Sequence, residues 1–329
     1  MENTAADEVR RDLVVIGASA GGVEALRCLV GGLPPDLPAT VCVVLHLSSG
    51  GPSALAGILS RAGQLPCRPA QDGDPLEPGT ILVAPPDRHL VVEGDHARLS
   101  VGPRENNHRP SVDTLFRSAA EVARERVIGV VLSGMRDDGA AGLALIKANG
   151  GMAFVQDPKD ALHAGMPTSA IESTDVDAVL PCEDLANAIT AAAGGSDPPP
   201  RDHSDPPPVE GRPLTIVCPE CGGVLSETTE AGVPRWECHV GHLYSRSSLS
   251  VAQGTEAERA LWTAMRMLRD RAALLRRLAA QAAARGHVHS VQTFRKRAGD
   301  AEQQADAVLT VLRDSTASAL DEVEDEEVA

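Results

Sequence analysis

Between residues 12 and 193, short apolar runs alternate with segments whose apolar positions recur at helical spacing. The runs at 13–16, 41–45, 80–84, 127–132 and 152–156 predict strands; the segments at 23–30, 52–62, 111–124 and 140–148 predict helices. Such alternation predicts an α/β domain, a doubly wound, mostly parallel sheet with helices on both faces. Residues 89–101 alternate apolar and polar positions on either side of Glu93-Gly94-Asp95. That pattern predicts an antiparallel hairpin added to one edge of the sheet.

The pattern collapses at 194–213, GGSDPPPRDHSDPPPVEGRP, where two triple-proline blocks predict an extended linker. A short cysteine-bearing module follows at 214–250. From 255 to 313 helical spacing returns, opened by a capping box at Thr255 and Glu258. Leu261, Met265, Leu268, Ala272, Leu275, Ala279 and Ala282 form one stripe. After Gly286, Val291, Phe294, Ala298, Ala301, Ala305, Val308 and Leu312 form another, so an antiparallel α-helical hairpin is expected. Residues 314–329, with the acidic run DEVEDEE at 321–327, read as a solvated, disordered tail.

At 329 residues and 43% hydrophobic, the chain has room for about two domains. It carries no apolar run long enough to span a bilayer and a polar N-terminus, so a cytoplasmic protein without membrane insertion is expected. The net charge of −16 argues against nucleic acid as a general partner. Cys28, Cys42, Cys67 and Cys182 sit singly among apolar neighbours and read as packing residues, whereas Cys218, Cys221 and Cys238 cluster.

The candidate chemistry begins where the first strand stops. In DLVVIGASAGG, residues 12–22, Ser19 stands between Gly17 and Gly21 in a G-x-S-x-G frame. Glycines there permit a tight strand-to-helix turn that exposes a serine at a helix N-terminus, where free N–H groups favour developing negative charge. The competing reading, a dinucleotide phosphate turn, wants a second glycine where Ser19 stands and an acid at the end of the next strand. The next run ends in His46 instead. Asp137 and Asp138 follow the run 127–132, which brings serine, histidine and carboxylate to one edge of one sheet. Those residue types suit acyl transfer without a cofactor: histidine takes the serine proton and a buried carboxylate orients the imidazole. The spacing does not choose between the two aspartates, and His89, His108 and His163 in loops are alternative bases.

These residues lie in a chain that resembles the catalytic domain of CheB-type protein-glutamate methylesterases. The resemblance runs from Val14 to about Ile189 through IGASAGG (16–22), ILVAPPDRHL (81–90), HRPSVDTLFRSAA (108–120), LSGMRDDGAAG (132–142) and VQDPKDALHAGMP (155–167). It implies hydrolysis of γ-glutamyl methyl esters on chemoreceptors or similar helical signalling proteins, with glutamine deamidation in some members. Carried over residue by residue, it implies Ser19 as nucleophile, His46 as base and Asp138 as orienting acid. Backbone N–H groups of Met135 and Ala20 would form the oxyanion hole. The chain departs from the family pattern in three places. Only a short segment precedes the first strand, so regulation by a receiver domain in cis is not expected. The loop after His46 reads LSSGGPS in place of a proline-rich loop, and Asp137 adds a second carboxylate. If both carboxylates faced the imidazole, an alkaline optimum would follow.

In the C-terminal half, Cys218-x2-Cys221 and Cys238-x3-His242 have the spacing of a tetrahedral zinc ribbon, with His239 as the alternative fourth ligand. Four protein ligands close a site, so the expected Zn²⁺ is structural. The hairpin offers an arginine-rich arm, read either as a solvated face or as a surface for a helical partner, a separate regulator protein or a second copy of the chain. A non-catalytic docking protein in a sensory system is the alternative reading of the whole chain.

Overall fold

Apolar runs buried on both faces become parallel strands. β1 (Leu13–Ala18) and β2 (Thr40–Leu45) are buried at every position, which is why neither alternates. A computed structural model describes residues 10–46, 54–196 and 216–328, with side chains through 313. It divides into two compact units, Met1–Leu249 and Ser250–Ala329.

In the first unit, β1 and β2 join β3 (Cys67–Pro69), β5 (Ile81–Val83), β8 (Val127–Val131), β9 (Met152–Gln156) and β10 (Ala178–Leu180) in one sheet. Its order is β10-β9-β8-β1-β2-β5-β3, and every pairing is parallel. Val14, Ile16 and Ala18 point to the layer of α1 (Gly22–Gly32), α2 (Leu55–Ala62) and α6 (Cys182–Ala193). Leu13 and Val15 point to the layer of α3 (Val112–Ala123), α4 (Ala140–Ala148) and α5 (Gly165–Ser173). Each such fully buried branched side chain contributes roughly 1.5–3 kcal/mol of hydrophobic stabilisation. The chain winds outward from β1 on one side and resumes with β8 on the other, so the carboxyl ends of β1 and β8 flank a topological switch point.

The expected hairpin forms, as β6 (His89–Glu93) and β7 (His96–Ser100), but not on the sheet edge. It pairs with β4 (Asp74–Pro75) in a separate antiparallel sheet and ties to α3 through Val92 N–H donating to Ser118 Oγ at 3.0 Å. The edge is already taken by β3, whose segment CRP is too short and polar to read as a strand.

The module of β11 (Leu225–Glu230), β12 (Val233–Cys238) and β13 (Leu243–Tyr244) is a three-stranded antiparallel sheet belonging to the first unit. Glu105 pairs in a parallel bridge with Leu243. Two long helices follow, α7 (Arg246–Ala284) and α8 (Val288–Val328), turning at Gly286. Within the second unit Ala272, Ala279, Ala298, Ala301 and Ala305 are buried, and Arg276 pairs with Glu302 across the two arms. No helix begins at Thr255: α7 runs through it, the Thr255 hydroxyl donating to the Val251 carbonyl and Glu258 accepting from the Trp262 indole. Nor does helix stop at 313, because residues 300–328 contain neither glycine nor proline to end it. Residues 197–213 of the expected linker and the loop 47–53 lie outside the described residues.

Candidate active site

Ser19 sits one residue beyond β1, with its N–H donating to the Ser133 carbonyl at 2.9 Å and its own carbonyl accepting from Gly22 N–H at 2.9 Å. The left-handed residue of this elbow is Gly21 (φ 71°). A side chain there would crowd Ser133 and Leu162, so the glycine absorbs the turn and the serine backbone is spared it. Ser133, just past β8, stitches the neighbouring loop down. Its hydroxyl donates to the Ala20 carbonyl at 2.8 Å, and its N–H to Gln156 Oε1 at 2.9 Å.

His46 follows β2 and is anchored by its N–H to the Ala18 carbonyl at 3.2 Å. Nδ1 lies 3.2 Å from Ser19 Oγ, and Nε2 lies 2.7 Å from Asp138 Oδ2. A carboxylate accepts only, so the ring proton belongs on Nε2, and the Nδ1 lone pair faces the serine hydroxyl. That is the tautomer a general base needs, with the two ring nitrogens used in the reverse of the common serine-protease arrangement.

Asp138 is 3% exposed and surrounded by donors. Besides His46, Oδ2 accepts from Val112 N–H at 2.8 Å; Oδ1 accepts from Asn106 Nδ2 (2.7 Å), Ser111 Oγ (3.0 Å) and Asp113 N–H (3.1 Å). Val112 and Asp113 open α3, so the carboxylate occupies a helix N-terminus. Burial alone would raise its pKa. The hydrogen bond and charge of His46, the His108 ring and the Val112 N–H outweigh that and hold it well below the ordinary carboxylate value.

The sequence left Asp137 and Asp138 unresolved and entertained both at the imidazole. The structure separates them. Asp137 turns away, accepting from the Ser245 hydroxyl at 2.6 Å and from Ser247 N–H at 3.3 Å at the start of α7. The alkaline optimum expected from a second carboxylate therefore loses its basis. Of the alternative histidines, His108 stacks face to face on His46, ring centroids 3.6 Å apart and 8° from parallel. Burial and the adjacent His46 push its pKa down to about 4, leaving it neutral near pH 7. His89 donates to the Pro103 carbonyl at 2.9 Å, and His163 enters through its main chain, accepting from Gly134 N–H at 3.0 Å.

The loop after β8 brings Gly134 against Ser19: a Cβ on it would lie 3.0 Å from Ser19 Cβ. Met135 comes next, and among the described residues neither its N–H nor that of Ala20 has an acceptor. Sequence reasoning missed Asn106, Ser111 and Asp113. The only signal was the density of polar residues in NNHRPSVD, between apolar runs.

In the module, Cys218, Cys221, Cys238 and His242 converge, their ligand atoms all within 4.8 Å of one another. Cys221 and Cys238 sulfurs are 3.6 Å apart, and His242 Nδ1 lies 3.6 and 3.4 Å from the Cys218 and Cys238 sulfurs. His239 stands outside this group, against Gly223.

A family model described as CheB methylesterase matches residues 14–189. The protein-glutamate methylesterase/protein-glutamine glutaminase 2 of Anaeromyxobacter dehalogenans (strain 2CP-C) is 46% identical over 180 residues, 55% of this chain and 53% of that protein. A putative protein-glutamate methylesterase/protein-glutamine glutaminase of Leptospira interrogans is 41% identical over 176 residues, 53% of this chain and 91% of that one. The crystal structure of the Thermotoga maritima CheB methylesterase catalytic domain matches with a TM-score of 0.54 at 34% identity, covering 55% of this chain and 98% of that chain. The chain thus spans about half the length of the Anaeromyxobacter relative.

Proposed function

We infer, from the fact that the chain belongs to the CheB methylesterase family and from the geometry at Ser19, that it hydrolyses glutamate methyl esters on a protein. The observation that carries this reading is the continuous line from Ser19 Oγ through His46 to Asp138 Oδ2, buried at its acid end. Ser19 attacks the ester carbonyl while His46 Nδ1 takes its proton. The imidazolium keeps its Nε2–H on ionised Asp138, which holds the ring in place and offsets its charge. The oxyanion forms beside the Ala20 and Met135 N–H groups, donors that gain most in the transition state. Collapse expels methoxide, which receives the proton from Nδ1 and leaves as methanol. Water then attacks the acyl-serine with His46 again as base, releasing glutamate. With a glutamine side chain the same cycle releases ammonia.

The substrate we propose is a methylated chemoreceptor or similar helical signalling protein, in chemotaxis or related sensing. A separate regulator, and a second copy of the chain joined through α7 and α8, are the further partners proposed. Among the described residues no helix is long and apolar enough to cross a membrane.

We also propose a zinc ribbon in the module. Tetrahedral zinc with Zn–S bonds of about 2.3 Å sets its sulfurs about 3.8 Å apart, and the 3.6 Å between Cys221 and Cys238 fits that spacing. His242 Nε2 lies 3.2 Å from Glu220, an outer carboxylate of the kind that orients a ligating imidazole. Four protein ligands leave no open position, so the metal would hold the module together and take no part in ester hydrolysis.

The test is methanol release from methylated chemoreceptor fragments by the wild type and by Ser19→Ala. Release that vanishes in the variant supports the serine esterase; no release by a folded wild type removes this substrate.

A further inference from the structure

The active-site loop is held from behind by the C-terminal module. Asn106 is fully buried, in the left-handed region (φ 52°), and both side-chain polar atoms have partners. Its Nδ2 bridges Asp138 Oδ1 at 2.7 Å and Asp113 Oδ2 at 2.8 Å. Its other two bonds come from the module: Asn106 N–H donates to the Leu243 carbonyl at 2.8 Å, and Ser245 N–H donates to Asn106 Oδ1 at 2.8 Å. Two residues on, the same loop carries His108, stacked on His46.

Arg235 of β12 completes the arrangement. It is 1% exposed, and its guanidinium forks between Asp113 and Glu105. Glu105 also pairs with Arg117, which reaches Glu230 of β11. Acidic and basic side chains therefore alternate in an unbroken line from Glu230 to Asp113, whose carboxyl shares the Asn106 amide with Asp138; burial pushes the Asp113 pKa up to about 7, and the Arg235 charge works against that rise. A contact needed only to glue two surfaces is made as well by apolar side chains, without the desolvation of several ions. An arginine is required here for a different reason: it keeps two carboxylates buried and fixed beside a third that must stay ionised and aimed at His46.

We propose that Arg235 is a positioning residue of the esterase site, acting through Asp113 and Asn106 on Asp138, so that the C-terminal module is a working part of the catalytic apparatus. The proposal rests on the serine esterase reading above. Replacing Arg235 by methionine leaves Asp113 and Glu105 without their shared cation. They then take up protons or shift, and the Asn106 amide loses its fixed seat on Asp138. Arg235 is buried at 1% exposure, out of a substrate's reach, so the expected loss falls on the chemical step.

The experiment uses the full-length protein, with Arg235→Met, Arg235→Lys, Asn106→Ala and the double variant Arg235→Met/Asn106→Ala. Turnover is read with methylated receptor fragments, and circular dichroism establishes that each variant is folded. We expect Arg235→Met to lower kcat at least tenfold with KM unchanged within twofold, Arg235→Lys to recover part of the loss, and the double variant to be no worse than the more damaged single one, because both act through one line. Proton NMR of the His46 Nε2–H, downfield while bonded to Asp138, gives a readout independent of turnover; it should move upfield or exchange away in Arg235→Met. Folded Arg235→Met with wild-type kcat and an unmoved Nε2–H resonance would overturn the proposal, as would multiplicative losses in the double variant. If Arg235→Met does not fold, Arg235→Lys decides alone: wild-type kcat and resonance overturn the proposal, and a lowered kcat at constant KM upholds it. A wild type that shows the resonance but releases no methanol removes the receptor substrate, and the NMR comparison still tests the positioning.

Discussion

Asp138→Asn tests how far the Asp138 cage commits the imidazole to one tautomer. The side chain keeps its shape, but one acceptor oxygen becomes an NH₂ group in a setting where the Ser111 hydroxyl and the imidazole alone could turn to accept. If the amide nitrogen takes the Oδ1 place it meets Asn106 Nδ2, Ser111 Oγ and the Asp113 N–H; in the Oδ2 place it meets the Val112 N–H and His46 Nε2. The second placement leaves fewer donors unpaired, and His46 relieves it by moving its proton to Nδ1. The ring then donates toward Ser19 and cannot take its proton. A triad histidine held in the wrong tautomer loses about 10⁴-fold in kcat, or ~5 kcal/mol of transition-state stabilisation. Burying an unpaired donor costs roughly 1–3 kcal/mol of stability in addition. Methanol release under saturating substrate is the assay, with a thermal melt alongside. A folded Asp138→Asn retaining more than a tenth of wild-type kcat would refute the tautomer argument. In the wild type, the folded pKa of Asp138 lies below its ordinary value of 3.8, so the stability this group adds is complete above that value. It is lost only as pH falls from there toward the folded pKa, so the contribution of Asp138 itself persists through the weakly acid range.

Asp137→Asn should leave the acid-limb midpoint of the pH–rate profile where it is, since Asp137 meets Ser245 and Ser247 and not His46; a shift of half a pH unit or more would contradict that placement. His108, normally near 6.5, is held to about 4 by burial and by His46, so the unfolded chain binds the extra proton between those values and acidification weakens the fold. His108→Phe, keeping the stack without the titration, should show a smaller fall in urea midpoint between pH 7 and pH 4.5; equal falls would remove His108 as the cause. Stripping metal with a strong chelator should lower the unfolding midpoint, and elemental analysis should return one zinc per chain; a metal-free preparation with an unchanged midpoint would end the zinc proposal.

The parallel strands and the residues at their tips were legible because both follow local rules. Val14–Ile16 and Val41–Leu45 are buried on two faces, and a sheet of that kind displays its chemistry at its carboxyl edge, where Ser19 and His46 stand. Choosing Asp138 over Asp137 needed either the family resemblance or the structure, since which way each of two adjacent carboxylates turns depends on α3 and α7, far off in sequence. Arg235 was illegible for the same reason. In VPRWEC it occupies an ordinary position of a short strand, and only the fold brings Asp113 and Glu105 to it. The hairpin was recognised by its turn but misassigned to the sheet edge, because strand pattern says what pairs locally and not which edge is free.

Asn106 takes two of its four hydrogen bonds from residues 243 and 245. On a ribosome, the stretch that carries Ser19, His46 and Asp138 emerges long before those two. A chain made only as far as Asp138 therefore carries Ser19, His46 and Asp138 together and lacks two of the bonds that seat Asn106 against them; those two require the last strand of the module.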